Sequence, residues 1–152
     1  MEDLTYAMFG SNWAGMLAVL RAKFHPDSTM ASALKKTCDS FLLEHNSVMG
    51  RDAIWSDNFD GEGTNWLGLQ LMLVRDELTG KQKWTQFISS LIDVDSGNAL
   101  DGRAAGTWQQ SVRDARNALV VVVERKRQEE QRRREEEQRK RQEKLARQQE
   151  RL

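Results

Sequence analysis

The stretch from 124 to 152 limits this chain more than any other feature. From Arg125 it runs in sevens, RKRQEEQ, RRREEEQ, RKRQEKL and ARQQERL, and holds 12 lysines and arginines against 8 glutamates. A heptad repeat makes a coiled coil when two of its positions are apolar. Here a single position drifts toward apolar, reaching Leu145 and Leu152, so the seam is missing. What the repeat does provide is ion pairing at helical spacing: Glu130 with Arg134, Glu135 with Arg139, Glu136 with Lys140, Glu137 with Arg141 and Glu143 with Arg147. Each such pair stabilises a helix by about 0.2–0.5 kcal/mol. The repeat therefore predicts a solitary charged helix, used as a solvated spacer or as a basic surface for a partner. Any core must be built by the rest, which divides the chain into a helical body, 1–123, and a charged tail, 124–152.

Of the 23 basic and 23 acidic residues, 11 and 15 fall in the body, so a net charge of zero hides an acidic body and a basic tail. One subunit then has little net attraction for phosphate, and nucleic-acid binding would have to be local or repeated over many copies. Cys38 is the single cysteine, which excludes an internal disulfide, and nothing near it has metal-ligand spacing. The opening MEDLTYAMFG is acidic where a signal peptide is basic, and no apolar run approaches the roughly 18 residues of a membrane span. These features predict an intracellular protein without a membrane segment.

Within the body, Trp13, Met16, Leu17, Leu20 and Phe24 form one helical stripe behind a Ser11 or Asn12 cap, ending before Pro26. Met30, Leu34, Cys38, Phe41 and His45 align as a second stripe, which predicts a helix through DSTMASALKKTCDSFLLEH. Residues 47–63 break into Gly, Asp, Asn and Ser around Ile54, Trp55 and Phe59, as turns or short extended pieces do. TNWLGLQLMLVRDEL reads as a third helix stopped by Gly80, and Trp84, Phe87, Ile88 and Leu91 as a short fourth. Residues 93–106 lack periodicity and read as a mobile loop. Trp108, Val112, Ala115, Leu119 and Val122 continue a helical stripe into the tail despite four consecutive valines.

Chemistry-bearing patterns are scarce. His25 and His45 have no companion at metal spacing and no adjacent nucleophile, and both read as structural. There is no Walker loop, GxSxG or HExxH, and Asp93, Asp95 and Asp101 lack the glycine and terminal glutamate of an EF-hand. The residues thus predict no catalytic site, no metal and no cofactor. Five tryptophans in a small body point to some of them facing other copies of the chain.

In order and spacing these features resemble the coat protein of rod-shaped plant RNA viruses, the tobamovirus-like family. The likeness spans about residues 9–123 and is carried by RDARNAL (113–119) running into VVVV, WSDNF (55–59) and TGKQKW (79–84). It implies an all-α fold: an antiparallel four-helix bundle with a small extended or β element and a long charged C-terminal helix. It also implies a structural capsid protein, not an enzyme, that assembles many copies of itself into a helical rod and packages single-stranded genomic RNA. Lys81 and Lys83 match two of the family's RNA-contacting arginines, and Arg103 one of a further pair, all meeting phosphates without reading sequence. The location implied is the virion, with the host cytoplasm during assembly. The alternative class is a cellular helical adaptor that holds partners apart with a charged single-helix arm.

Overall fold

A computed structural model describes residues 5–149. The chain is helical: five α-helices and no strand occur among the described residues, with one isolated antiparallel bridge between Ile92 and Ala99. The helices are α1 (Asn12–Lys23), α2 (Thr29–Lys35), α3 (Trp66–Thr79), α4 (Lys83–Ser89) and α5 (Gly102–Gln149). The chain divides into two compact units, Met1–Arg116 and Asn117–Leu152.

In the first unit α3 is the central element and packs against α1, α2 and α4. Its apolar run is buried on several sides, which explains why its sequence is nearly continuous in hydrophobic residues. Trp13, Leu69, Met72, Leu73, Ile88, Ile92, Trp108 and Val112 make one core, and Leu17, Leu20, Leu34 and Val74 a second beside it. Trp13 and Trp108 are almost fully buried. Their indole N–H groups donate to the carbonyls of Val94 (2.9 Å) and Thr64 (2.8 Å), so each ring is satisfied at its polar end.

Helix starts follow the predicted caps. Ser11 accepts from the N–H of Ala14 at 3.1 Å, and Ser28 from that of Ala31 at 3.0 Å. Gly80 ends α3 in the left-handed region, at φ 69°. Helix α4 is capped from a distance. Asp76, buried in α3, accepts from the N–H groups of Trp84 (2.9 Å) and Thr85 (2.8 Å).

Two sequence expectations fail here. The second helix does not continue to His45: it ends at Lys35, the C-cap is Lys36, and Cys38 turns left-handed at φ 52°. Beyond it residues 40–45 run without helix along α3, where the N–H of Leu42 meets the sulfur of Met72 at 3.4 Å. Residues 93–106 are not a single loop either, because α5 begins at Gly102. Its first turn is fixed by Asp101, which accepts from the N–H of Ala104 at 2.7 Å.

Of the second unit, the described part is entirely helical, and all of it but the partly buried Leu119 is exposed. Two of the predicted ion pairs form, Glu130–Arg134 and Glu136–Lys140, both at 2.6 Å, and Arg139 bonds Glu143 at 3.6 Å. No helix among the described residues is long and apolar enough to cross a membrane.

Candidate functional site

The non-helical chain from Leu42 to Asn65 folds back on itself and is held by side chains that bond backbone. Asn65, fully buried and left-handed at φ 55°, stands at the start of α3. Its Oδ1 accepts from the N–H of Glu44 and its Nδ2 donates to the carbonyl of Leu42, both at 2.9 Å. One amide thereby fixes the backbone on either side of Leu43. Gly68, one turn into α3, lies so close to the Leu42 carbonyl that a Cβ there would collide with it.

Asp57 fixes the other wall. Its N–H donates to the Glu44 carbonyl at 2.9 Å, while Oδ1 accepts from the N–H groups of Asn46 (3.0 Å) and Phe59 (2.9 Å). Oδ2 meets Nδ1 of His45 at 2.7 Å. Burial pushes the Asp57 carboxyl up, but the bonds from His45, Asn46 and Phe59 outweigh it and leave the carboxyl below its ordinary value. With Nδ1 engaged, the chemistry His45 can bring is at Nε2.

Asp52 organises the tip of the loop by accepting from the N–H groups of Ile54 (3.1 Å) and Trp55 (2.8 Å), an Asx turn. The Ser56 hydroxyl donates to the Asp52 carbonyl at 2.6 Å. From outside, Arg113 clamps Glu62 through two bonds of 2.6 and 2.7 Å, and Nε of Arg116 donates to the Phe59 carbonyl at 3.0 Å.

These contacts enclose a cleft of about 620 Å³ lined by Glu44, His45, Asn46, Ser47, Arg51, Asp52, Trp55 and Ser56. Buried Ser56 and exposed Glu44 and His45 line it, and Trp55 presents an indole backed edge-on by Trp66, 5.5 Å between centroids. The arrangement offers a carboxylate, an imidazole of fixed orientation and an aromatic face within one polar cleft. Among the described residues no group of three or more His, Cys, Asp or Glu is placed to hold a metal ion.

Of the residues predicted to contact RNA, Lys81, Lys83 and Arg103, none lines this cleft, whereas His45, read as structural, and Trp55 of WSDNF do. Lys81 is exposed and bonds Asp39, in the segment after α2, at 3.1 Å. Lys83 sets its ammonium 5.7 Å from the centroid of the Trp84 ring. Arg103 is exposed in the first turn of α5, where its carbonyl accepts from Thr107. The pairing of His45 with Asp57 is spatial, across twelve positions, and no local pattern signals it.

Parts of the chain are similar to known bacterial proteins. The chain is 40% identical over 77 residues to a riboflavin biosynthesis protein of Vibrio vulnificus, covering 49% of this chain and 20% of that protein. It is 38% identical over 63 residues to the N-glycosidase YbiA of Shigella boydii and to that of Escherichia coli, covering 41% of this chain and 38% of each. The chain thus spans a fifth to about two fifths of the length of these relatives. No family model matches it, and no solved structure matches it significantly.

These likenesses overturn the coat-protein resemblance. The relatives are bacterial proteins named for a glycosidase and a biosynthetic role, so the capsid function, the virion and host-cytoplasm location and the reading as a non-enzyme are all corrected, and the adaptor alternative gains no support. The resemblance rested on the order of helices and on short strings such as TGKQKW, and a succession of amphipathic helices is common to unrelated folds.

Proposed function

We propose that the cleft formed by residues 44–57 is part of a site that hydrolyses an N-glycosidic bond. In this reaction the bond from the anomeric carbon to nitrogen breaks, the electron pair leaves with nitrogen, water adds to the carbon, and nitrogen ends protonated. Positive charge develops on the sugar in the transition state, so a carboxylate aimed at it is the most effective single group. Glu44 fills that role and takes the proton from the attacking water. His45, oriented by Asp57, delivers a proton to the departing nitrogen from Nε2. Trp55 provides a face on which a planar leaving group stacks. The helices of the first unit act as a scaffold for the loop, packed as an antiparallel bundle.

The observation that carries this reading is the buried, hydrogen-bonded Asp57 holding His45 beside Glu44. The test is release of free base from a panel of nucleosides and nucleotides by the full chain and by Glu44→Gln, with helicity of both checked by circular dichroism. Glu44→Gln should lower kcat/KM by about 100-fold or more at unchanged helicity. Equal rates for the two proteins would refute the role given to Glu44.

A further inference from the structure

A second concave surface lies on the first unit, formed by Phe41, Lys83, Trp84, Phe87 and Ser111, with a volume of about 260 Å³ and almost no polar lining. It shares no residue with the loop cleft. Its aromatic rings brace one another edge-on: Phe41 against Trp84 at 5.7 Å and Trp84 against Phe87 at 5.9 Å between centroids. Phe41 also touches Trp108 of the core at 5.6 Å, so the floor of the groove is anchored. Phe41, Trp84 and Phe87 are each only partly buried. Covering the apolar surface of such a slot with a partner's side chain is favourable.

Charge at the rim selects the occupant. Lys81 is neutralised by Asp39. Lys83 has no carboxylate within ion-pair distance among the described residues; its ammonium lies over Trp84, one wall of the groove. The groove therefore combines an apolar slot the size of one large side chain with a rim where two lysines, Lys81 and Lys83, share the single carboxylate of Asp39, which leaves the edge net positive.

We propose that this groove is a docking site for a protein partner that inserts one aromatic side chain flanked by acidic residues. The aromatic side chain lies against Phe41, Trp84 and Phe87, and an adjacent carboxylate meets Lys83. A buried aromatic anchor surrounded by a polar rim is how short segments gain most of their binding energy. Phosphate chemistry fits less well, because one cation beside an apolar slot gives a nucleic acid a single contact where such binding draws on many.

The test uses the full chain and fluorescence anisotropy with a labelled peptide holding one phenylalanine between glutamates. Controls are the same peptide with alanine for phenylalanine, the same peptide with lysines for glutamates, and a single-stranded oligothymidylate. The acidic peptide should bind saturably, and loss of its phenylalanine should weaken binding at least about tenfold. Lys83→Glu, a change at an exposed position that leaves the core intact, should weaken it up to about fivefold at low salt, and Phe87→Ala should weaken it further. Equal binding of acidic and basic peptides would overturn the proposal, as would affinity unchanged by Lys83→Glu or saturable binding of the oligonucleotide alone. Sedimentation provides the remaining arm: self-association abolished by Phe87→Ala would make a second copy of this chain the occupant and would equally overturn it.

Discussion

At Asp57 the cost of burying a carboxylate is offset by three hydrogen bonds, and that balance ties the cleft to pH. The folded carboxyl lies below its ordinary value, so between the two values the unfolded chain binds more protons and stability rises with pH. This contribution is fully present above the ordinary carboxylate range and is lost as pH falls through the folded value. Asp57→Asn should cost about 1–3 kcal/mol near neutrality, because Asn46, Phe59 and His45 lose a charged acceptor. It should also flatten the acid limb of stability against pH. Urea unfolding at pH 7 and at successive values down to about 3 checks both effects, and an acid limb as steep as in the parent would contradict the balance described.

Helix α4 shows how one element depends on another. Its seven residues are too few to be helical alone, and its N-cap residue Gln82 makes no side-chain capping bond. Asp76 of α3 caps it instead, bonding the N–H groups of Trp84 and Thr85 and the Thr85 hydroxyl. Asp76→Ala should therefore cost about 1–3 kcal/mol and speed hydrogen exchange in α4 well before α3. Uniform acceleration across both helices would show that the cap matters only to the global fold.

The same scale shows what the sequence made legible. Helices α1 and α3 were readable because Ser11 and Gly80 mark their ends and their stripes are unbroken. The start of α5 had a signal too, Asp101 three residues before Ala104, but the lack of apolar periodicity in 93–106 masked it. The second half of helix two was misread because Phe41 and His45 fall at helical spacing while serving a non-helical strap. Cys38 takes the left-handed turn without the glycine or asparagine that would announce it. The cleft was illegible for a related reason. Asn65 reaches back 21 residues to Glu44 and 23 to Leu42, and no local pattern encodes such bonds.

For the molecule as a whole, the buried hydrophobic core runs from Trp13 to Val112, and every described residue beyond Val123 is exposed. A chain ended at Arg127 should thus keep the unfolding free energy of the first unit to within about 0.5 kcal/mol, the usual range for surface changes. Helicity lost by the shortening should account for the tail alone, and the tail's own helicity should fall with added salt as its ion pairs are screened. A large loss of stability on shortening would mean that the tail contributes to the core.

The central claim is that the loop cleft belongs to an N-glycosidic hydrolase, and its most direct test is to run the reaction in water enriched in oxygen-18. The full chain should convert an N-glycoside to free base and sugar, with one labelled oxygen at the anomeric carbon and none in the base, and Glu44→Gln should suppress both products together. Release of base without label in the sugar, or no release from any N-glycoside tested, would contradict the account.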